Sequence, residues 1–175
     1  PVFKDQAVRE ALYLAMDRTA IIDALYYGVP TPAETFMPPQ SYYYNPDLPK
    51  QEFNLDRARQ ILDEAGWVPG ADGIREKDGL RLSFNNSTTV GNHLREQTQQ
   101  FLQQTFAEIG AEMKIENLPP AVMWGDFWGQ SQFDSAMVGI TYLVGGDPDV
   151  TYRFHTDAIA AKGGSGSNNA QYSNS

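Results

Sequence analysis

The residue types able to do covalent or metal chemistry are few in this chain and badly spaced for it. There is no cysteine, which removes disulfides, thiolate nucleophiles and Cys-ligated metals. His93 and His155 stand far apart, without the HxxxH or HExxH spacing that sets two ligating side chains on one helix face. No metal site and no cofactor is expected. Asp63 and Glu64 are adjacent, and neighbours on a helix point in different directions, so they are poor partners for acid–base work. There is no G-x-S-x-G elbow and no glycine-rich loop ending in lysine. The run Gly163-Gly164-Ser165-Gly166-Ser167 lacks the lysine and the following helix of a phosphate loop, and reads as linker. Catalysis is not the chemistry to expect.

Recognition is. Trp124 and Trp128 are four residues apart and share one helix face. One ring could face a cleft while the other anchors the helix, or both could be core. The run Tyr42-Tyr43-Tyr44 offers flat, amphipathic surfaces suited to a ligand, or rings that cover the core. Arg9 and Asp17 flank the first helix, where a surface pair and a helix cap are their expected roles.

The balance of charge narrows the partners. Of 175 residues, 13 are basic and 22 acidic, a formal net charge of -9. Nucleic acid binding needs clustered Lys and Arg, and no such cluster occurs. Docking on anionic lipid is disfavoured for the same reason. The 41% hydrophobic and 20% charged residues are ordinary for a globular domain, and no stretch approaches the roughly 18 apolar residues of a membrane span. No signal peptide is visible. The chain opens Pro1-Val2-Phe3 and closes in Ser, Asn and Gly, and both ends read as cuts within a longer protein.

The elements that must position these side chains follow from periodicity. Val8, Ala11, Leu12 and Ala15 form one apolar stripe, predicting a helix over 6–16. Asp17 predicts an N-cap for a second helix with Ile21, Ile22 and Leu25 inside and Gly28 as its stop. Six prolines between Val29 and Lys50 forbid regular structure there. Asn54 caps a third helix with Leu55, Ala58, Ile61, Leu62 and Ala65 on one face. Asp72-Gly73 and Asp78-Gly79 are hairpin-type turn signals around short strands at 74–76 and from Leu80 through Leu82 and Phe84. A long helix over 92–109 would turn Leu94, Phe101, Leu102, Phe106 and Ile109 inward, and Met113 and Ile115 alternate as a strand. That order predicts a parallel pair with a crossover helix. Pro119-Pro120 open a short helix through Trp128, residues 133–141 read as a buried strand, and a short helix holds Tyr152 and Phe154. The fold class is α/β, a small mixed sheet with packed helices over 1–161, followed by a flexible Gly/Ser/Asn-rich tail over 162–175.

Six segments in order resemble the bacterial extracellular solute-binding proteins of family 5, the peptide, oligopeptide and nickel carriers of ABC importers. They are VREALYLAMDRTAIIDALYYG at 8–28, FNLDRARQILDEAGW at 53–67, DGIREKDGLRLSF at 72–84, FAEIGAEMKIE at 106–116, and FDSAMVG at 133–139 followed by GDPD at 146–149. SNNAQYSN at 167–174 is a looser match. The resemblance implies one lobe, the second, of a two-lobed, hinged type II periplasmic-binding-protein fold. It implies a periplasmic or extracytoplasmic, non-enzymatic role in which a small solute (peptide, opine, sugar or similar) is captured and handed to an ABC permease. A sensory or interaction module that borrowed the fold is the alternative, and a non-catalytic portion of an enzyme a more distant one. Relatives that bind peptides present a tryptophan and an aspartate to the cleft from the segment after residue 138, the aspartate pairing with the ligand's amino group. Ile140 stands at the tryptophan position, and Leu143 or Val144 at that of the aspartate, while Asp147 reads as a cap. The solute is therefore expected not to be held through a free amino terminus. By their positions, Trp124, Thr141, Tyr142 and Asn168 are the expected ligand contacts. An excised lobe would expose apolar surface and self-associate.

Overall fold

The computed structural model describes residues 1–50, 52–140 and 150–173. Helices α1 (Gln6–Leu14), α2 (Arg18–Tyr26) and α3 (Leu55–Glu64) precede a hairpin sheet of β1 (Val68–Pro69), β2 (Arg75–Lys77) and β3 (Leu80–Arg81). Then come β4 (Ser83–Ser87), the long α4 (His93–Glu108) and β5 (Glu112–Ile115). A short helix α5 (Pro120–Val122) runs into a wide turn at Met123–Phe127, followed by β6 (Ser135–Ala136) and α6 (Val150–Phe154). The mixed sheet divides in two. Strands β1–β2–β3 are antiparallel, whereas β4 lies between β5 and β6 and is parallel to both.

Local chemistry sets most boundaries. Asp5 Oδ1 accepts from Ala7 N at 3.0 Å, Asp17 Oδ1 from Ala20 N at 2.9 Å and Asn54 Oδ1 from Arg57 N at 2.8 Å. Each carries an orphan donor of a helix start. Asp78 and Gly79 sit at φ 51° and 75°, the left-handed pair that a two-residue hairpin between β2 and β3 demands. Residues 29–50 form no regular element, in keeping with their prolines.

The core is one cluster. Val8, Ala11 and Ala15 from the α1 segment, Ala58 and Leu62 from α3, and Leu82 before β4 are each fully buried, and Phe106 of α4 and Met113 of β5 join them. Phe84 of β4 meets Phe3 edge-on at 4.9 Å and Phe106 at 6.2 Å. Asp5 is a second kind of tie. Its carboxylate accepts from Trp67 Nε1 at 3.0 Å and Lys77 Nζ at 2.9 Å, joining the start of α1 to the hairpin. The Lys77 hydrogen bond, foremost, holds the carboxyl below its ordinary value against the opposing pull of desolvation. Arg75 is buried and donates through Nε to Ile109 O and through Nη1 to Trp67 O and Asp63.

Four expectations are corrected here. Leu94 is exposed rather than inward, because the buried stripe of α4 runs through Phe106, Leu102, Gln99 and Thr98. Residues 133–140 contain only a two-residue strand at the sheet edge, where half-burial replaces the full burial of a central strand. Tyr42 and Tyr43 are exposed and do not roof the core. The tail expected to be flexible folds back over 162–173. Gly164 and Gly166 lie so close to residues 157–159 that a Cβ on either would stand 2.2–2.3 Å from its neighbours, and Ser167 N donates to Tyr152 O at 2.8 Å.

Candidate functional site

Strands β4 and β6 run parallel, and the chain leaves β4 through α4 to reach β5 on the opposite side. Their carboxyl ends therefore flank a point where the strand connections diverge. In open α/β sheets such a point leaves a crevice that loops cannot fill, and ligands bind there. A groove lies at this place, lined by the turn of residues 89–95 and by Trp124.

The turn is built from short-range hydrogen bonds. Beyond β4 the pairing continues as a bridge between Thr89 and Leu118, with Val90 N donating to Leu118 O at 2.9 Å. Gly91 takes φ 85° and donates its N–H to Glu96 Oε1 at 2.8 Å. Asn92 caps α4 through Arg95 N at 3.2 Å. Among the described residues Thr89 Oγ1 is buried with no hydrogen-bond partner, a state that costs free energy unless another group reaches it. Arg95 is half-buried, makes no ion pair among the described residues, and lies against Gly139, where a Cβ would stand 2.7 Å from its guanidinium. Glycine at 139 leaves the room that Arg95 occupies.

The two tryptophans of the shared helix face divide their roles. Trp128 stacks on Phe133 at 5.3 Å with an interplanar angle of 14°, which anchors the segment to the residues leading into β6. Trp124, 47% exposed, packs its edge against Trp128 at 6.0 Å and turns its free surface to the groove. Between them Gly125 departs from helical backbone, and Met123 is fully buried beneath.

Of the four expected contacts, Trp124 reaches the groove. Thr141 and Tyr142 lie outside the described residues, as do Leu143, Val144 and Asp147. Asn168 is 1% exposed and already committed. Its amide donates to His155 O and Tyr172 O, and its Oδ1 accepts from Tyr172 N at 3.0 Å. In this structure it organises the returning tail instead of presenting a free group. Its neighbour Asn169 donates to Trp128 O at 2.8 Å, so the tail braces the aromatic segment. Thr89 and Arg95 were missed. Gly91-Asn92 is a pair that could have pointed to a turn there, but nothing in the sequence distinguishes an unpaired arginine from an ion-paired one. Among the described residues no group of three or more His, Cys, Asp or Glu could hold a metal ion, and no helix is long and apolar enough to cross a membrane.

Residues 1–162 match the family model described as bacterial extracellular solute-binding proteins, family 5 Middle. The chain belongs to that family. Oligopeptide-binding protein AppA of Bacillus subtilis (strain 168) is 34% identical over 166 residues, covering 90% of this chain and 30% of the relative. The solved structure of AppA in complex with a nonapeptide superposes with a TM-score of 0.89 at 33% identity, covering 99% of this chain and 34% of that one. NikZ from Campylobacter jejuni in complex with Ni(L-His) gives 0.85 at 27% identity, covering 97% and 33%. This family 5 chain thus spans about a third of the length of its solved relatives, and its α/β architecture is that of part of a periplasmic binding protein.

Proposed function

We propose that this chain forms one wall of a solute-binding cleft in an extracytoplasmic carrier that captures a peptide or peptide-like solute between two lobes and delivers it to an ABC permease. The observation that carries the reading is the groove at the carboxyl ends of β4 and β6. It combines an exposed indole with a guanidinium that makes no ion pair, and a buried threonine hydroxyl that has no hydrogen-bond partner, among the described residues. An indole face takes apolar or planar parts of a solute, and a guanidinium takes an acidic group. Nothing in this arrangement resembles a nucleophile with its base. The work is binding, with closure of the lobes as a ligand-driven shift between two states. The likeness to a carrier solved with a nonapeptide favours peptides, and an uncharged Ile140, next to the Gly139 that lies against Arg95, favours an amino terminus that is not gripped by charge.

A thermal-shift screen of the full-length protein tests this. The panel holds free and N-acetylated peptides, the nickel–histidine complex, sugars and opines. Ligand at one hundred times its Kd stabilises the native state by about 2.7 kcal/mol, a readable shift. Equal shifts with free and N-acetylated peptides are expected, and both should shrink when Trp124 or Arg95 becomes alanine. A shift only with free amino termini would refute the uncharged grip, and silence across the panel would refute the carrier reading. Tyr27, Val29 and Tyr42 are each at least 83% exposed. The isolated chain is therefore expected to self-associate, which light scattering over a range of concentrations would reveal as a rising mass.

A further inference from the structure

The inward face of β4 changes character along its length. Positions 82, 84, 86 and 88 are Leu, Phe, Asn and Thr, all buried. The stripe of α4 that packs over it changes at the same level, from Phe106 and Leu102 to Gln99. Towards the amino ends of the strands the layer is apolar, and at their carboxyl ends, directly beneath the groove, it is a chain of carboxamides. Gln99, with no exposed surface, donates to Asn86 Oδ1 at 2.8 Å and to Asn117 Oδ1 at 2.9 Å, and its Oε1 accepts from Asn117 Nδ2 at 2.9 Å. Asn117 Oδ1 also accepts from Thr88 N at 3.1 Å. Asn86 Nδ2 donates to Ser135 Oγ at 2.8 Å, and that hydroxyl passes on to Asn85 O at 3.0 Å. Thr88 Oγ1 donates to Met137 O at 2.7 Å.

Apolar side chains would fill this space at less desolvation cost. A connected polar network in its place specifies one arrangement, because any slip leaves a buried group unpaired. The ties run from α4 to β4, from β4 to β6, and from the segment after β5 back to Thr88, the residue just before the groove turn. We infer that Gln99 and Asn117 are positioning residues for solute binding. They hold Thr88, and through it Thr89 and the turn to Arg95, in the geometry the cleft wall needs. They touch no solute themselves. This inference rests on the cleft reading for its functional consequence, while the geometry it asserts is tested independently.

The test uses Gln99→Met, Asn117→Leu and Asn117→Asp in the full-length protein, with amide hydrogen exchange read residue by residue. In Gln99→Met and Asn117→Leu the Thr88 amide should exchange at least tenfold faster, while Leu82 and Glu112, whose amides bond to Arg75 O and Leu82 O away from the carboxamides, change less than twofold. Asn117→Asp keeps the acceptor for Thr88 N and should keep its slow exchange. A titration with a nonapeptide library as probe should show at least fivefold weaker binding for the first two variants and near-normal binding for Asn117→Asp. Uniform acceleration at all three amides would reduce the network to general stability and overturn the inference, as would unchanged exchange at Thr88. If the unaltered protein fails to bind the probe, the cleft reading is what suffers, and the exchange pattern still decides the positioning role.

Discussion

The apolar and polar halves of the α4–β4 layer are built on the same two elements yet do different work. At the end holding Leu82, Phe84, Leu102 and Phe106, side chains of varied shape fill space, and neighbours can re-pack when one is trimmed. At the end holding Asn86, Thr88, Gln99 and Asn117, every group depends on a named partner. The first half gives stability through apolar burial, which is non-directional. The second gives direction, because hydrogen bonds weaken steeply off-axis. A wall that must meet a solute benefits from the second kind of packing at the rim and the first beneath it.

Four perturbations would break or sharpen this contrast. The largest effect is expected in the apolar half. Leu82→Ala, at a position with no exposed surface, should cost about 3 kcal/mol in urea unfolding while leaving solute affinity per folded molecule intact. Next is Asp5, which lies outside both halves and serves as a control for a polar tie with no bearing on the groove. Asp5→Ala removes a helix cap and strands Trp67 Nε1, at about 2 kcal/mol. Its folded pKa is lowered, so its contribution is fully present above the unfolded carboxylate value of about 3.9 and disappears as pH falls through the lower folded one. Unfolding followed from pH 6 to pH 2 should show that slope, and Asp5→Asn should flatten it. In the polar half, Gln99→Met should cost about 1–2 kcal/mol, less than Leu82→Ala, yet impair binding more. A reversed order would dissolve the contrast. The smallest change in stability belongs to Trp124→Ala, about 0.5 kcal/mol at a half-exposed ring, paired with a clear loss of solute binding in calorimetry.

Much of the scaffold was legible because it rests on short-range rules. Asp17 and Asn54 cap the helices they announce, and Asp78-Gly79 makes its hairpin turn. The strand–helix–strand order produced a parallel pair, Phe84 opposite Met113. Leu94 misled because an apolar residue in the first turn of α4 looks periodic, whereas burial there goes to Gln99, whose polarity hides it from any hydrophobic pattern. The tail misled in the opposite way. Its glycines read as freedom, but Gly164 and Gly166 are small so that backbone can pack on backbone, and Asn168 closes that contact with three hydrogen bonds. Trp124 was legible as a candidate by type and spacing, but which of the two indoles would turn outward was not.

The sequence by itself determined the helix starts, the turns, the order of elements, the absence of thiol chemistry and the family resemblance. Each depends on residues a few positions apart or on an ordered series of local motifs. Only the tertiary structure decided that residues 89–95 meet Trp124 across a strand divergence, that Arg95 lies against Gly139, and that Gln99 links Asn86 to Asn117. Those relations join residues 13 to 44 positions apart, and their energies depend on distance, angle and exclusion of water, which are fixed when the whole chain has packed.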